Sequence, residues 1–160
     1  MELLELASQT VLVGLLAGWL VIGAYENIRA PDVNRFLVSD VFSMHSMEAE
    51  MPEVYSQVSR NRMASTRLHR GLFALIVGFE VFVALGLVIG TGLLALSLLG
   101  ITDAHFARLF AGWAVLGFIL IWGLFLVGGN WFHYWVTHKD TQVTHYLMTI
   151  WGIITLAWLF

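Results

Sequence analysis

GLFALIVGFEVFVALGLVIGTGLLALSLL, residues 71–99, carries a single ionisable side chain, Glu80, in an otherwise apolar run. A helix needs about 20 such residues to cross roughly 30 Å of hydrocarbon. This run exceeds that length, so it is expected to tilt, to emerge from the hydrocarbon, or to loosen near Gly90 and Gly92. Three more apolar runs flank it, at 3–25, 106–127 and 144–160. The expected fold is therefore all-α: a polytopic membrane protein forming one transmembrane domain over 1–160, a four-transmembrane-helix bundle with a long amphipathic cytoplasmic loop between the first two helices. The first run opens with Glu2 and Glu5, not with a basic segment, and has no small-x-small cleavage site, so it reads as a retained span and not as a signal peptide.

Composition supports the same class. Hydrophobic residues make up 59% of the chain and charged residues 12%, about half the roughly 25% charged content of soluble domains. A soluble domain this small has too much surface for its volume to hide that much apolar side chain. The formal charge of −3, without a run of like charge, points away from nucleic acid. The absence of cysteine rules out disulfides, thiolate metal sites, iron–sulfur clusters and thiol nucleophiles.

Four spans put loops one and three on one face. That face holds Arg29, Arg35, Arg60, Arg62, Arg67, Arg70 and Lys139, and the other holds Arg108 alone. The positive-inside tendency then makes both loops cytoplasmic and places both termini on the non-cytoplasmic side of the membrane. Trp19, Trp113, Trp131, Trp135 and Trp158 lie near span ends, where amphipathic rings settle, while Trp122 and Trp151 fit that pattern less well. Within loop one, Val33, Phe36, Leu37, Val41, Met44, Met47 and Met51 recur at helical spacing, which predicts an amphipathic helix that Pro52 ends or restarts.

Lipid tails are as apolar as leucine, so membrane helices associate through small residues and polar contacts. Gly14 with Gly18, and Gly86 with Gly90, are small-xxx-small pairs expected to be buried in helix contacts. Span three carries Gly112, Gly117, Gly123, Gly128 and Gly129 without a clean repeat.

Two segments carry a family resemblance. Residues 34–44, NRFLVSDVFSM, resemble the N-x-F-V-x-H-V-L-S-M-D stretch ahead of span two in the bacterial "domain of unknown function 2165" family of small integral membrane proteins, and His69 with residues 76–80 stand where that family's second span begins. Residues 128–135, GGNWFHYW, look like its G-G-E-W-F-x-M-W motif. Asn130 replaces the motif's glutamate, and His45 stands where an aspartate follows the Ser-Met pair. The resemblance implies four spans and this topology, and brings no activity with it.

Glu80 lies about ten residues, or ~15 Å, beyond Arg70 along the helix axis. A carboxylate at that depth is costly, so it should face the bundle interior and take a polar partner. Glu26, Asn27 and Asn130 are the candidate partners. Glu80 admits readings as a proton relay, a quinone hydrogen-bond partner, a cation ligand or a buried packing group. Of the six histidines, five fall on the cytoplasmic face, and His69, His133 and His145, at span ends, are the best placed to hold a metal or haem. Met44, Met47 and Met51 beside His45 form a soft-ligand stripe, but the same spacing suits one face of an amphipathic helix. No Ser-His-Asp order, P-loop, dinucleotide glycine pattern or HExxH is present.

The function these features favour is a non-catalytic accessory or structural subunit that binds other membrane protein components. A redox or cofactor subunit holding haem, quinone or metal is the rival, and a proton- or ion-coupled carrier is the third reading. No cofactor is predicted. The expected partners are membrane lipid and either other subunits or further copies of the chain.

Overall fold

The computed structural model describes residues 2–160. The chain forms α1 (Glu2–Arg29), α2 (Pro31–Ser43), α3 (His45–Glu50), α4 (Pro52–Val58), a 3-10 turn (Ser59–Asn61), α5 (Thr66–Leu98), α6 (Ala104–Trp131), a second 3-10 turn (Tyr134–Val136) and α7 (Lys139–Leu159), with no strand among the described residues.

Local chemistry sets the boundaries. Pro31 cannot continue α1 and instead opens α2 at its first turn, where a missing N–H costs nothing. Ser65 Oγ accepts from the Leu68 amide at the start of α5, and Asp103 Oδ1 accepts from Phe106 at the start of α6. Between them Gly100 adopts φ +69°, so the Gly100 and Ile101 amides can return to the carbonyls of Ser97 and Leu96. That geometry favours glycine and ends α5 shortly before Asp103 caps α6.

Helices α1, α5 and α6 are long and apolar enough to cross a membrane. At 33 residues, α5 is ~50 Å long, which exceeds the hydrocarbon thickness as its sequence implies. Helix α7 has 21 residues, and its first turns hold Lys139, Asp140, Gln142 and His145, which lower its apolarity. Successive long helices run antiparallel: Gly14 of α1 meets Thr91 of α5, Gly90 of α5 meets Ala111 of α6, and Gly152 of α6's neighbour α7 meets Ile119. Helix α7 returns to α1 through Trp151 against Trp19, ring centroids 6.4 Å apart. Val13, Leu16, Leu20, Val83, Leu87, Leu94, Ala111, Val115 and Phe118 form the core between them.

The expected amphipathic stretch over 33–51 is helical but broken. Met44 has φ 54°, which ends α2 and starts α3 in a new direction. The break turns Met44 and Met47 inward against Phe132, while Met51 stays exposed. The methionine stripe is thus mostly packing, and His45 lies outside it on the surface. The five tryptophans assigned to span ends are all exposed, whereas Trp122 and Trp151 pack against the core.

The glycine pairs divide. A Cβ on Gly90 would lie 3.0 Å from the Ala111 backbone and one on Gly86 would touch Ala114, so this pair forms a close contact with α6. Gly14 faces Thr91, but Gly18 is exposed with nothing within 4 Å, against the expectation that both residues of its pair are buried. The tight positions that the pair rule misses are Gly112 under Phe160, Gly117 under Val83 and Gly152 under Ile119. Gly90→Leu is expected to lower unfolding stability in detergent by about 1–3 kcal/mol, because overpacking forces the backbones apart, with Gly18→Leu close to wild type. Parallel unfolding titrations of the two variants check this contrast.

Candidate functional site

Glu80 is buried and turned toward α1. Asn27 Nδ2 donates to its Oε2 at 2.7 Å, and Asn34 of α2 donates to Asn27 Oδ1 at 2.6 Å. Of the three partners foreseen for Glu80, the structure brings up Asn27 and leaves Glu26 and Asn130 exposed. Asn34, which completes the relay, escapes sequence reading because it lies in the loop segment and faces back only through the turn at Pro31.

His69, His133 and His145 do not converge, and among the described residues no three His, Cys, Asp or Glu gather as metal donors. His69 is buried, with Ser39 Oγ 2.8 Å from Nδ1 and the Met63 carbonyl 3.0 Å from Nε2. The carbonyl can only accept, so Nε2 carries the proton and the serine hydroxyl donates to Nδ1. Both ring nitrogens are thus engaged within the protein. His133 has φ 54° and a buried Nδ1 without a hydrogen-bond partner. His145 packs among the rings of Trp122, Phe125 and Tyr134, with its Nδ1 3.2 Å from the Tyr134 hydroxyl.

Helix α2 is latched across this end of the molecule. Besides the bonds of Asn34 and Ser39, the Phe42 carbonyl accepts from the Met63 amide at 2.9 Å. The buried Asp40 places Oδ2 3.1 Å from His138 Nε2, out of line for a hydrogen bond but within ion-pair range when the imidazole is protonated. Phe42 and Phe132 rings lie 5.1 Å apart. The two segments that carry the family resemblance therefore meet in space.

Between them lies a cavity of about 280 Å³. One wall is α2, through Leu37, Val38, Val41 and Phe42. The others are Ile76 and Phe79 of α5, the last turns of α6 from Ile121 to Gly129, and Tyr134, His138, Thr141 and His145. No Lys, Arg, Asp or Glu lines it. Burial, and secondarily Tyr146, push the Tyr134 hydroxyl up to about 12, so it stays neutral near pH 7. Its ring lies on Gly129, where a Cβ would sit 2.6 Å from ring carbons. This gives the second glycine of the GG pair its physical reason.

A second polar knot, absent from the sequence-level candidates, closes the opposite end. Arg108 donates to Gln9 Oε1 at 3.0 Å and pairs with Glu5 at 3.2 Å. Gln9 Nε2 donates to the Trp158 carbonyl at 3.0 Å, and Trp158 Nε1 donates to Ser8 at 2.8 Å. Helices α1, α6 and α7 are thereby joined. The available signal was that Arg108 is the lone cation of its face and Gln9 the lone amide of the first span.

The chain belongs to the family described as "Predicted small integral membrane protein (DUF2165)", whose model matches residues 5–160. No curated protein and no solved structure matches it.

Asn27→Leu strands the Glu80 carboxyl and is expected to cost about 1–3 kcal/mol of stability, the range for a buried polar group left unpaired. Glu80→Gln, which keeps an acceptor for Asn27, should cost less than half as much, and denaturant unfolding of both proteins in one detergent provides the comparison.

Proposed function

We propose that this family member is a four-span subunit of the bacterial inner membrane that carries no catalysis of its own and binds other membrane proteins through its helix faces. The observation that carries this reading is the destination of the buried polar side chains. Glu80 is bonded to Asn27, His69 to Ser39 and Met63, and Arg108 to Gln9 and Glu5. These groups tie helix to helix, which leaves the apolar outer faces as the surfaces for other membrane proteins.

Those faces are continuous. On α6 the exposed residues Leu109, Trp113, Leu116, Leu120, Leu124 and Val127 follow one stripe at helical spacing. On α7 Tyr146, Leu147, Ile150, Ile153, Ile154 and Trp158 do the same. A surface of this kind fits lipid or a neighbouring transmembrane helix and is too apolar for water. The stripe on α7, with a length of ~31 Å, supports counting that helix as the fourth span. An even number of spans, with seven of the eight basic residues at the end that α2 covers, supports cytoplasmic loops one and three and external termini.

Reporter fusions at Phe160 are expected to be active for a periplasmic enzyme and silent for a cytoplasmic fluorophore; the opposite pattern reverses the orientation. Purification in mild detergent should retain a stoichiometric membrane protein, and Trp113→Ala combined with Leu120→Ala should weaken that retention at least tenfold without lowering the unfolding midpoint. Recovery of the chain alone by native mass spectrometry overturns the subunit reading.

A further inference from the structure

We propose that the cavity beneath α2 binds the head of a neutral, lipid-soluble quinone or related carbonyl-bearing ring. The cavity's chemistry points to this occupant whether or not the chain is a subunit of a larger complex.

Its volume of about 280 Å³ is at the small end of ligand sites, enough for one ring and the start of a tail. The lining is almost wholly apolar and strongly aromatic, with Phe42, Phe79, Phe125 and Tyr134 around the space. Gly128 lines it as well, and a Cβ there would meet nothing within 4 Å. At Gly128 the wall carries no side chain, and beside it the Tyr134 ring covers Gly129, which suits a flat ring more than a branched or spherical ligand.

Charge excludes whole classes of occupant. No Lys, Arg, Asp or Glu lines the site, and His138, the one lining residue near a charge, stands beside Asp40. A phosphate or carboxylate head would find no partner and would lose its hydration. Of the polar lining residues Tyr134, His138, Thr141 and His145, the first and last form a hydrogen-bonded pair. The neutral Tyr134 hydroxyl lies 3.2 Å from His145 Nδ1, and the two share one hydrogen bond. Where Nδ1 accepts, the neutral imidazole carries its hydrogen at Nε2, which has no hydrogen-bond partner among the described residues; where Nδ1 donates, the Tyr134 O–H is the hydrogen left over. The pair therefore offers one donor, which a carbonyl oxygen on the ligand can accept. A site built for one hydrogen bond in an apolar cavity discriminates by that bond, because losing it leaves a buried donor unmatched.

The test uses the full chain in detergent micelles with a short-tail ubiquinone, and in parallel with a straight-chain alcohol of equal tail length. Saturable one-to-one binding of the quinone, read by equilibrium dialysis, is expected, with the alcohol at least tenfold weaker. His145→Leu should weaken quinone binding about tenfold, in line with one hydrogen bond. Gly128→Leu, whose Cβ would meet nothing within 4 Å, should abolish it while the unfolding midpoint holds. No saturable binding by the wild-type chain, equal affinity for the alcohol, or unchanged affinity in both variants overturns the proposal.

Discussion

A hydrogen-bonding group placed between apolar helices has no water to turn to, and the architecture follows from where this chain supplies the substitute. On α1, Gln9 and Asn27 lie on the same stripe as Leu6, Val13, Leu16, Leu20 and Ala24, all of them buried. The two amides stand ~27 Å apart along the axis, one bonded toward Arg108 and Trp158, the other toward Glu80. Leucine and valine contacts tolerate sliding, whereas a 2.7 Å bond does not survive a slip of one helical turn, about 5.4 Å. The polar ends thus define the register that the apolar middle fills.

Between those ends, close approach replaces the hydrophobic effect, which has little force among lipid tails. The structure does this by setting a glycine on one helix against a larger side chain on the next: Gly117 under Val83, Gly152 under Ile119, Gly112 under Phe160. Of the pairs picked by spacing, Gly86 and Gly90 lie against α6, Gly14 faces Thr91, and Gly18 is exposed. A step of four residues turns the face by about 40°, so Gly14 at the edge of the α1 contact carries Gly18 outward. Periodicity says which residues share a face. It does not say which way that face is rotated.

Loop one shows the same boundary of legibility. Its apolar spacing announced helix, and helix is present, but nothing in the sequence marks Met44 as left-handed. A residue with a side chain in that conformation costs roughly 1–2 kcal/mol, and the burial of Met44 and Met47 against Phe132 offsets it. Glu80 was legible as a buried acid because its cost in lipid is large and local. The engagement of His69 by Ser39 and Met63 was not, since both partners arrive through tertiary folding of the loop. The histidine trio failed as a cluster for the same reason: a shared face of the membrane does not imply a shared point in space.

The segments 34–44 and 128–135 are far apart in sequence and share no periodicity, yet they build one structure. Phe42 packs against Phe132 with the rings tilted, Asp40 faces His138, and Val41 and Gly128 line the same space. An arrangement held only for strength would close that space, since filling a void adds dispersion contacts at every lining atom. Here the chain instead places a glycine at 128 with room for a Cβ, rests Tyr134 on Gly129, and holds α2 over the opening by bonds to α1, to α5 and to Met63 ahead of α5, with Asp40 facing His138. The latched helix fixes the size of the cavity, and the polar pair at Tyr134 and His145 fixes what can be recognised in it. The two matched segments are best understood as the two halves of that enclosure.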